Sequence, residues 1–275
     1  MKIITDTTCL ISPREGKDLG VTILPVSVSI NGQSYRDYED ISNKDMIKFM
    51  KDGSKTTSSQ PSVGDIMEAY EDDEETLVLS IGDGLSGTYA THIGIKNSID
   101  ENKHIHIIDT KTLAGALHHL VSKAIELKNK NFKISAIKEE LEKCIETSES
   151  FVIPFDFEFL KRSGRLTPIA AKILAATKVV PVLTQSEDKK RIEIFKINRT
   201  AKKAIDSVIT KFKSLNIDEK YVISICHADG YEKAMQAYEL LKKEFTNTVI
   251  EIFELSPALC CHGGPGSITI QVIKL

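Results

Sequence analysis

Residues 76–109 constrain this chain most: an apolar strand at 76–81, a glycine-rich turn, a helix from about 86 to 97 and a second apolar strand at 104–109. Parallel strands need a crossover of a dozen or more residues, and a helix of this length supplies one. Strand, turn, helix and strand in that order predict a largely parallel sheet covered by helices. The alternation continues on both sides. A short apolar run at 3–6 ends in an acid, and residues 22–30 read as one longer strand with Val26, Val28 and Ile30 alternating against serines. Asn31-Gly32 then supplies a hairpin turn. Ser42 caps a helix over 45–51 that Gly53 stops, and Ser62 caps another over 63–71. Helices near 112–129 and 135–147 follow.

The second half reads as strands at 151–155, 179–184, 191–197, 221–226, 249–255 and 267–273. Helices are expected at 168–176, 201–215 and 232–245, with a short helical piece at 158–161. Neighbouring strands without a helix between them predict antiparallel pairing here. The expected fold class is α/β in two domains, a length of 275 residues being enough for two cores. Residues 1–155 form a domain with a largely parallel sheet flanked by helices. Residues 156–275 form an α/β domain with a mixed or antiparallel sheet.

Composition narrows the function classes. With 36 Lys+Arg against 39 Asp+Glu the chain is slightly acidic, so it has no basic excess to neutralise nucleic-acid phosphates. No apolar stretch of signal length opens it, and the longest apolar region, 169–183, is broken by Lys172 and Lys178. That region is too short to span a bilayer, so a cytoplasmic protein without stable membrane insertion is expected. Cys9, Cys144, Cys226, Cys260 and Cys261 are irregularly spaced and fit reduced thiols in such a compartment. Neither Cys260-Cys261-His262, His104-x-His106 nor His118-His119 has the spacing of a ligand set, and no metal is expected.

Three readings compete at the turn Gly82-Asp83-Gly84-Leu85-Ser86-Gly87-Thr88. Its glycines match G-x-G-x-x-G, with Asp109 placed like a ribose-binding acid, which would make an NAD(P) oxidoreductase. Its Ser86 approaches a nucleophile elbow, and Ser86, Asp229 and His262 follow the chain order of a serine hydrolase, although Thr88 replaces the last glycine. In the third reading Ser86 and Thr88 are hydroxyl donors at a helix start, where free backbone N–H groups favour an anion. Residues 56–62, Thr-Thr-Ser-Ser-Gln-Pro-Ser, form a second hydroxyl run before a helix. The two would gather at the carboxyl edge of a parallel sheet, where ligands bind. Gly263-Gly264-Pro265-Gly266 near the C-terminus reads as a tight loop that a ligand can approach closely.

These stretches together resemble the DegV family of bacterial fatty-acid-binding proteins, in order along nearly the whole chain. Thr5-Asp6-Thr7-Thr8 is similar to the family's T-D-S-T/S, residues 57–62 to its T-S-Q-P-S, and Leu85-Ser86-Gly87-Thr88-Tyr89 to its L-S-G-T-Y. Phe159-Leu160-Lys161-Arg162-Ser163-Gly164-Arg165 is similar to Y-L-K-K-G-G-R. The stretches 179–183 and 199–204 resemble I-K-P-I-L and R-T-R-K-K-A, and 262–266 is close to H-x-G-P-G.

The resemblance implies a two-domain protein that holds one long-chain fatty acid between its domains. It implies a non-catalytic, monomeric acyl-carrying subunit of a fatty acid kinase system, without a cofactor. The partner kinase would use ATP to phosphorylate the bound carboxylate, and the acyl phosphate would pass to an acyltransferase of phospholipid synthesis. The carboxylate contacts carry over to Ser58, Ser86 and His262. Ser59, Gly87, Thr88, Arg165, Arg199 and Gly263 carry over as supporting or partner-facing positions. The chain departs from the pattern at Ser58, where Thr is usual, and at Ser163, Ala201 and Cys260.

Overall fold

Ile3 and Ile4 are both fully buried although they point to opposite faces of β1 (Lys2–Asp6), as a parallel sheet covered on both sides requires. The computed structural model describes residues 1–99, 104–174 and 179–275. β1 pairs in parallel with β2 (Thr22–Leu24) and with β6 (Thr76–Ser80), which pairs in parallel with β7 (Ile105–Asp109). On one face Ile3, Leu77 and Leu79 pack with α5 (Ala114–Asn129) and α6 (Ile134–Glu146). On the other, Ile4, Val78 and Ile105 meet Ile66 of α3 (Val63–Ala69) and Ile95 of α4 (Thr88–Ser98).

The run at 22–30 is not one strand. Pro25 has no N–H to give to a ladder, and the Val26 N–H turns away to Thr7 Oγ1 at 3.1 Å. β3 (Ser27–Ile30) therefore leaves the parallel sheet. It pairs antiparallel with β4 (Gln33–Arg36) across the Asn31-Gly32 turn, where φ is 50° and 89°. Its other neighbour is β5 (Thr56–Ser59), so the hydroxyl run is in part a strand of this antiparallel sheet and does not stand at the edge of the parallel one. Ser42 and Ser62 do cap their helices, α2 (Asn43–Lys51) and α3, each accepting from the N–H three residues on. A helix not expected from the sequence, α1 (Pro13–Leu19), starts at a capping box between Ser12 and Glu15.

The second sheet has six strands in the order β10 (Ile192–Asn198), β9 (Val180–Gln185), β8 (Glu149–Ile153), β13 (Ile268–Lys274), β11 (Tyr221–His227), β12 (Val249–Glu254). Only β11 and β12 are parallel. By pairing, this sheet begins before residue 155. Phe151, Ile225 and Ile270 on its strands pack against Phe212 of α9 (Ala201–Ser214) and Ala237 of α10 (Tyr231–Glu244). α7 (Phe157–Ser163) and α8 (Pro168–Leu174) cover the β9 end; the expected end of α8 at Ala176 lies outside the described residues.

α5 is wedged between the two large sheets, and a Cβ on its Gly115 would stand 2.3 Å from Ser224 Cβ on β11. Gln271 of β13, fully buried, accepts from Ala116 N at 3.2 Å and donates to Leu113 O at 3.0 Å and Ser150 Oγ at 2.8 Å. A helix not expected from the sequence, α11 (Pro257–Gly263), is capped by Ser256 with proline at its start, and the expected tight turn follows it with φ 78° at Gly264 and 82° at Gly266. Among the described residues no helix is long and apolar enough to cross a membrane.

Candidate functional site

A cavity of about 630 Å³ lies where β5, the β6–α4 turn, α7 and α11 meet. Its two ends differ. Ser59, Ser62, Val63 and Gly87 border it and are exposed, so this end reaches solvent. Val26, Leu160, Leu255, Ala258 and Leu259 border it and are buried, which makes the interior apolar. A hydroxyl-rich rim with an apolar depth suits an amphiphile with one polar end.

Ser58 and His262 face each other at this rim, with Ser58 Oγ 2.7 Å from His262 Nε2. β5 delivers the serine and the last turn of α11 the histidine. Burial, and then the nearby Arg165 guanidinium, push the His262 pKa down to about 3, so the ring is neutral. A neutral imidazole leaves the local potential to Arg165, whose side chain also borders the cavity. Arg165 donates from Nε to Leu85 O at 3.1 Å and from Nη1 to Ser163 O, which ties it to the glycine-rich turn.

Ser86 borders the same cavity, its hydroxyl 2.8 Å from Thr88 Oγ1 and accepting from Thr88 N at 3.3 Å. Thr88 is fully buried and braces Ser86 without bordering the cavity itself. Ser59, Gly87 and Gly263 line the cavity, whereas Arg199 is exposed just ahead of the Thr200 cap of α9 and does not. Gln60 and Thr8 also line it. Both stand within the family-like motifs, yet neither is among the expected contact residues. Among the described residues no group of three or more His, Cys, Asp or Glu side chains could hold a metal ion.

The two alternative readings of the glycine-rich turn meet physical obstacles. A pyrophosphate needs open space over the glycines. A Cβ on Gly82 would instead lie 2.9 Å from Lys111 backbone, and one on Gly87 2.7 Å from Gln60 Oε1. Gly84, at φ 84°, is packed against Lys190. Asp109 accepts from Asp83 N and Lys111 N, both at 3.0 Å, and so holds the turn in place. The hydrolase triad does not assemble either: His262 bonds Ser58, and Asp229 pairs with Lys51 at 2.6 Å.

Behind the rim lie two buried acids whose second oxygens lack a partner among the described residues. Asp6 accepts from Thr8 N at 2.9 Å and from Thr8 Oγ1, and Asp37 accepts from Ala258 N at 3.1 Å in the first turn of α11. Burial raises both pKa values, that of Asp37 to about 7.

Comparison with known proteins agrees with this architecture. A DegV domain-containing protein of Staphylococcus aureus strain N315 is 26% identical over 99% of this chain and 98% of its own. A solved structure of a fatty-acid-binding DegV family protein from Thermus thermophilus is 25% identical with a TM-score of 0.88, covering 100% of this chain and 99% of that one. A fatty acid binding DegV family protein from Streptococcus agalactiae shares the fold with a TM-score of 0.89 at 24% identity, covering 100% and 98%. The family described as DegV, of uncharacterised proteins, matches residues 1–275 from end to end, and the chain belongs to it.

Proposed function

We propose that this protein binds one long-chain fatty acid with its tail in the cavity and its carboxylate at Ser58, Ser86 and His262. From there the carboxylate is presented to an ATP-dependent kinase, and the acyl phosphate is consumed in phospholipid synthesis. The observation that carries the reading is the polarity of the cavity: hydroxyls and a guanidinium where it reaches solvent, aliphatic side chains where it does not. Its volume lies inside the range of roughly 300–1,000 Å³ typical of small-molecule sites. DegV homologues bind fatty acids, which supports the ligand class.

The energetics fit such a ligand. At about 0.8 kcal/mol per buried methylene, a long tail supplies on the order of 10 kcal/mol before the costs of association. The head group then needs donors rather than a strong ion pair. Ser58, Ser86 and His262 supply these with Arg165 as a supporting charge, and a carboxylate near the rim stays within reach of a docking enzyme. The protein is a carrier in this scheme, and the phosphoryl transfer belongs to its partner.

Denaturing extraction and mass spectrometry of protein purified without added lipid tests the reading. One long-chain fatty acid per chain is expected, because release re-exposes the tail to water. An empty protein that also takes up no acid on incubation would overturn it. Bound acid whose carboxylate lies far from Ser86 in a crystal structure would leave the carrier role standing and remove the residue assignment.

A further inference from the structure

A second, smaller chamber of about 40 Å³ lies behind one wall of the cavity. Leu85, Leu113, Val152, Ile192 and Thr269 border both spaces. Val152 on β8 and Thr269 on β13 are direct cross-strand partners, so their side chains stand together on one face of the sheet. Both are short and β-branched, with few rotamers to swing aside.

The far side of the chamber presents an apolar surface, fixed from behind by polar groups that are bonded to one another and to backbone. Gln271 is held through both ends of its amide by α5 and Ser150. Thr184 Oγ1 donates to Ser150 O at 2.9 Å, and Gln185 Nε2 to Lys111 O at 2.8 Å. Moving Gln271 would leave buried polar groups unpaired.

We propose that the acyl tail runs from the hydroxyl rim toward the Val152–Thr269 pair, and that these two side chains set the longest chain the protein accepts. This rests on the fatty-acid reading above. An acid that fills the main cavity meets the pair end-on. A longer one has to displace β-branched side chains between two paired strands before it reaches the small apolar chamber behind them. Truncating either residue removes the wall and joins the chamber to the cavity. The space gained takes about two more methylenes, each worth roughly a fourfold gain in affinity.

The test is the dissociation constant of each member of a homologous series of saturated acids for the parent, Val152→Ala, Thr269→Ala and Val26→Ala. Val26 borders the main cavity but not the chamber, and serves as the control. In the parent, affinity rises with length and then stops. In Val152→Ala the stopping point moves about two carbons longer, and the first acids beyond the parent limit bind roughly tenfold tighter. Thr269→Ala moves it in the same direction, and covers the case in which Val152→Ala does not fold; Val26→Ala leaves it in place. An unchanged limit in both wall variants, or a shift in Val26→Ala, overturns the inference while the carrier role stands. A parent that binds no member of the series overturns both.

Discussion

Ser58 and His262 are 204 residues apart in sequence and share one hydrogen bond at the cavity rim. Ser58→Ala leaves the imidazole nitrogen without that partner and deprives the carboxylate of a donor, at a cost of about 1–3 kcal/mol. The expected outcome is a roughly tenfold or greater rise in the fatty acid dissociation constant, read by displacement of a fluorescent acid. His262 and Asp37 link stability to pH with opposite signs. The fold holds His262 neutral with its pKa depressed to about 3, so its contribution is complete above the ordinary imidazole value and is lost as pH falls from there toward 3. Asp37 is raised to about 7 by burial, so its contribution is complete below the ordinary carboxylate value and is lost as pH rises through 7. Asp37→Asn keeps an acceptor for Ala258 N–H and removes the charge. Urea denaturation should find this variant more stable than the parent at a pH near 8, by on the order of 1–3 kcal/mol, with the advantage gone near pH 4.

Two helical glycines separate propensity from packing. Gly94 in α4 has nothing within 4 Å of a built Cβ, so Gly94→Ala should raise stability by about 0.5–1 kcal/mol. Gly115→Ala meets Ser224 on β11, and overpacking should outweigh the propensity gain by about 1–3 kcal/mol. Thermal denaturation of the pair checks both signs. Most elements were legible in the sequence because caps and periodicity are local: Ser42, Ser62 and Asn31-Gly32 act where they stand. The misread elements have local reasons as well. Pro25 divides an apolar run between two sheets, and Ser256-Pro257 is a helix start that the glycines after it obscured. The hydroxyls at 56–59 are strand residues only because β3 lies beside them, and no pattern within the segment records that neighbour.

At the scale of the molecule, the cavity has walls from β5, the β6–α4 turn, α7, β8, α11 and β13. Motif resemblance drew attention to several of these walls, but volume and direction are products of packing and have no sequence period. A ligand that binds only this assembled form raises its stability. With free acid at 100 times its dissociation constant the gain is about 2.7 kcal/mol, so stripping lipid should lower the melting temperature by several degrees and returning it should restore them.

The strand order of the six-stranded sheet also has a consequence for synthesis. β8 with β9 and β10 forms one piece, β11 with β12 another, and β13 joins them by pairing with both. A chain emerging from the ribosome can form the parallel sheet once residue 109 is out, yet the second sheet stays in two unjoined halves until residues 268–274 follow. Its unpaired edges at β8 and β11 are open to other strands during that interval. A ribosome stalled before residue 268 should therefore display a chain that is protease-resistant in its first sheet, aggregation-prone in its second and unable to retain lipid.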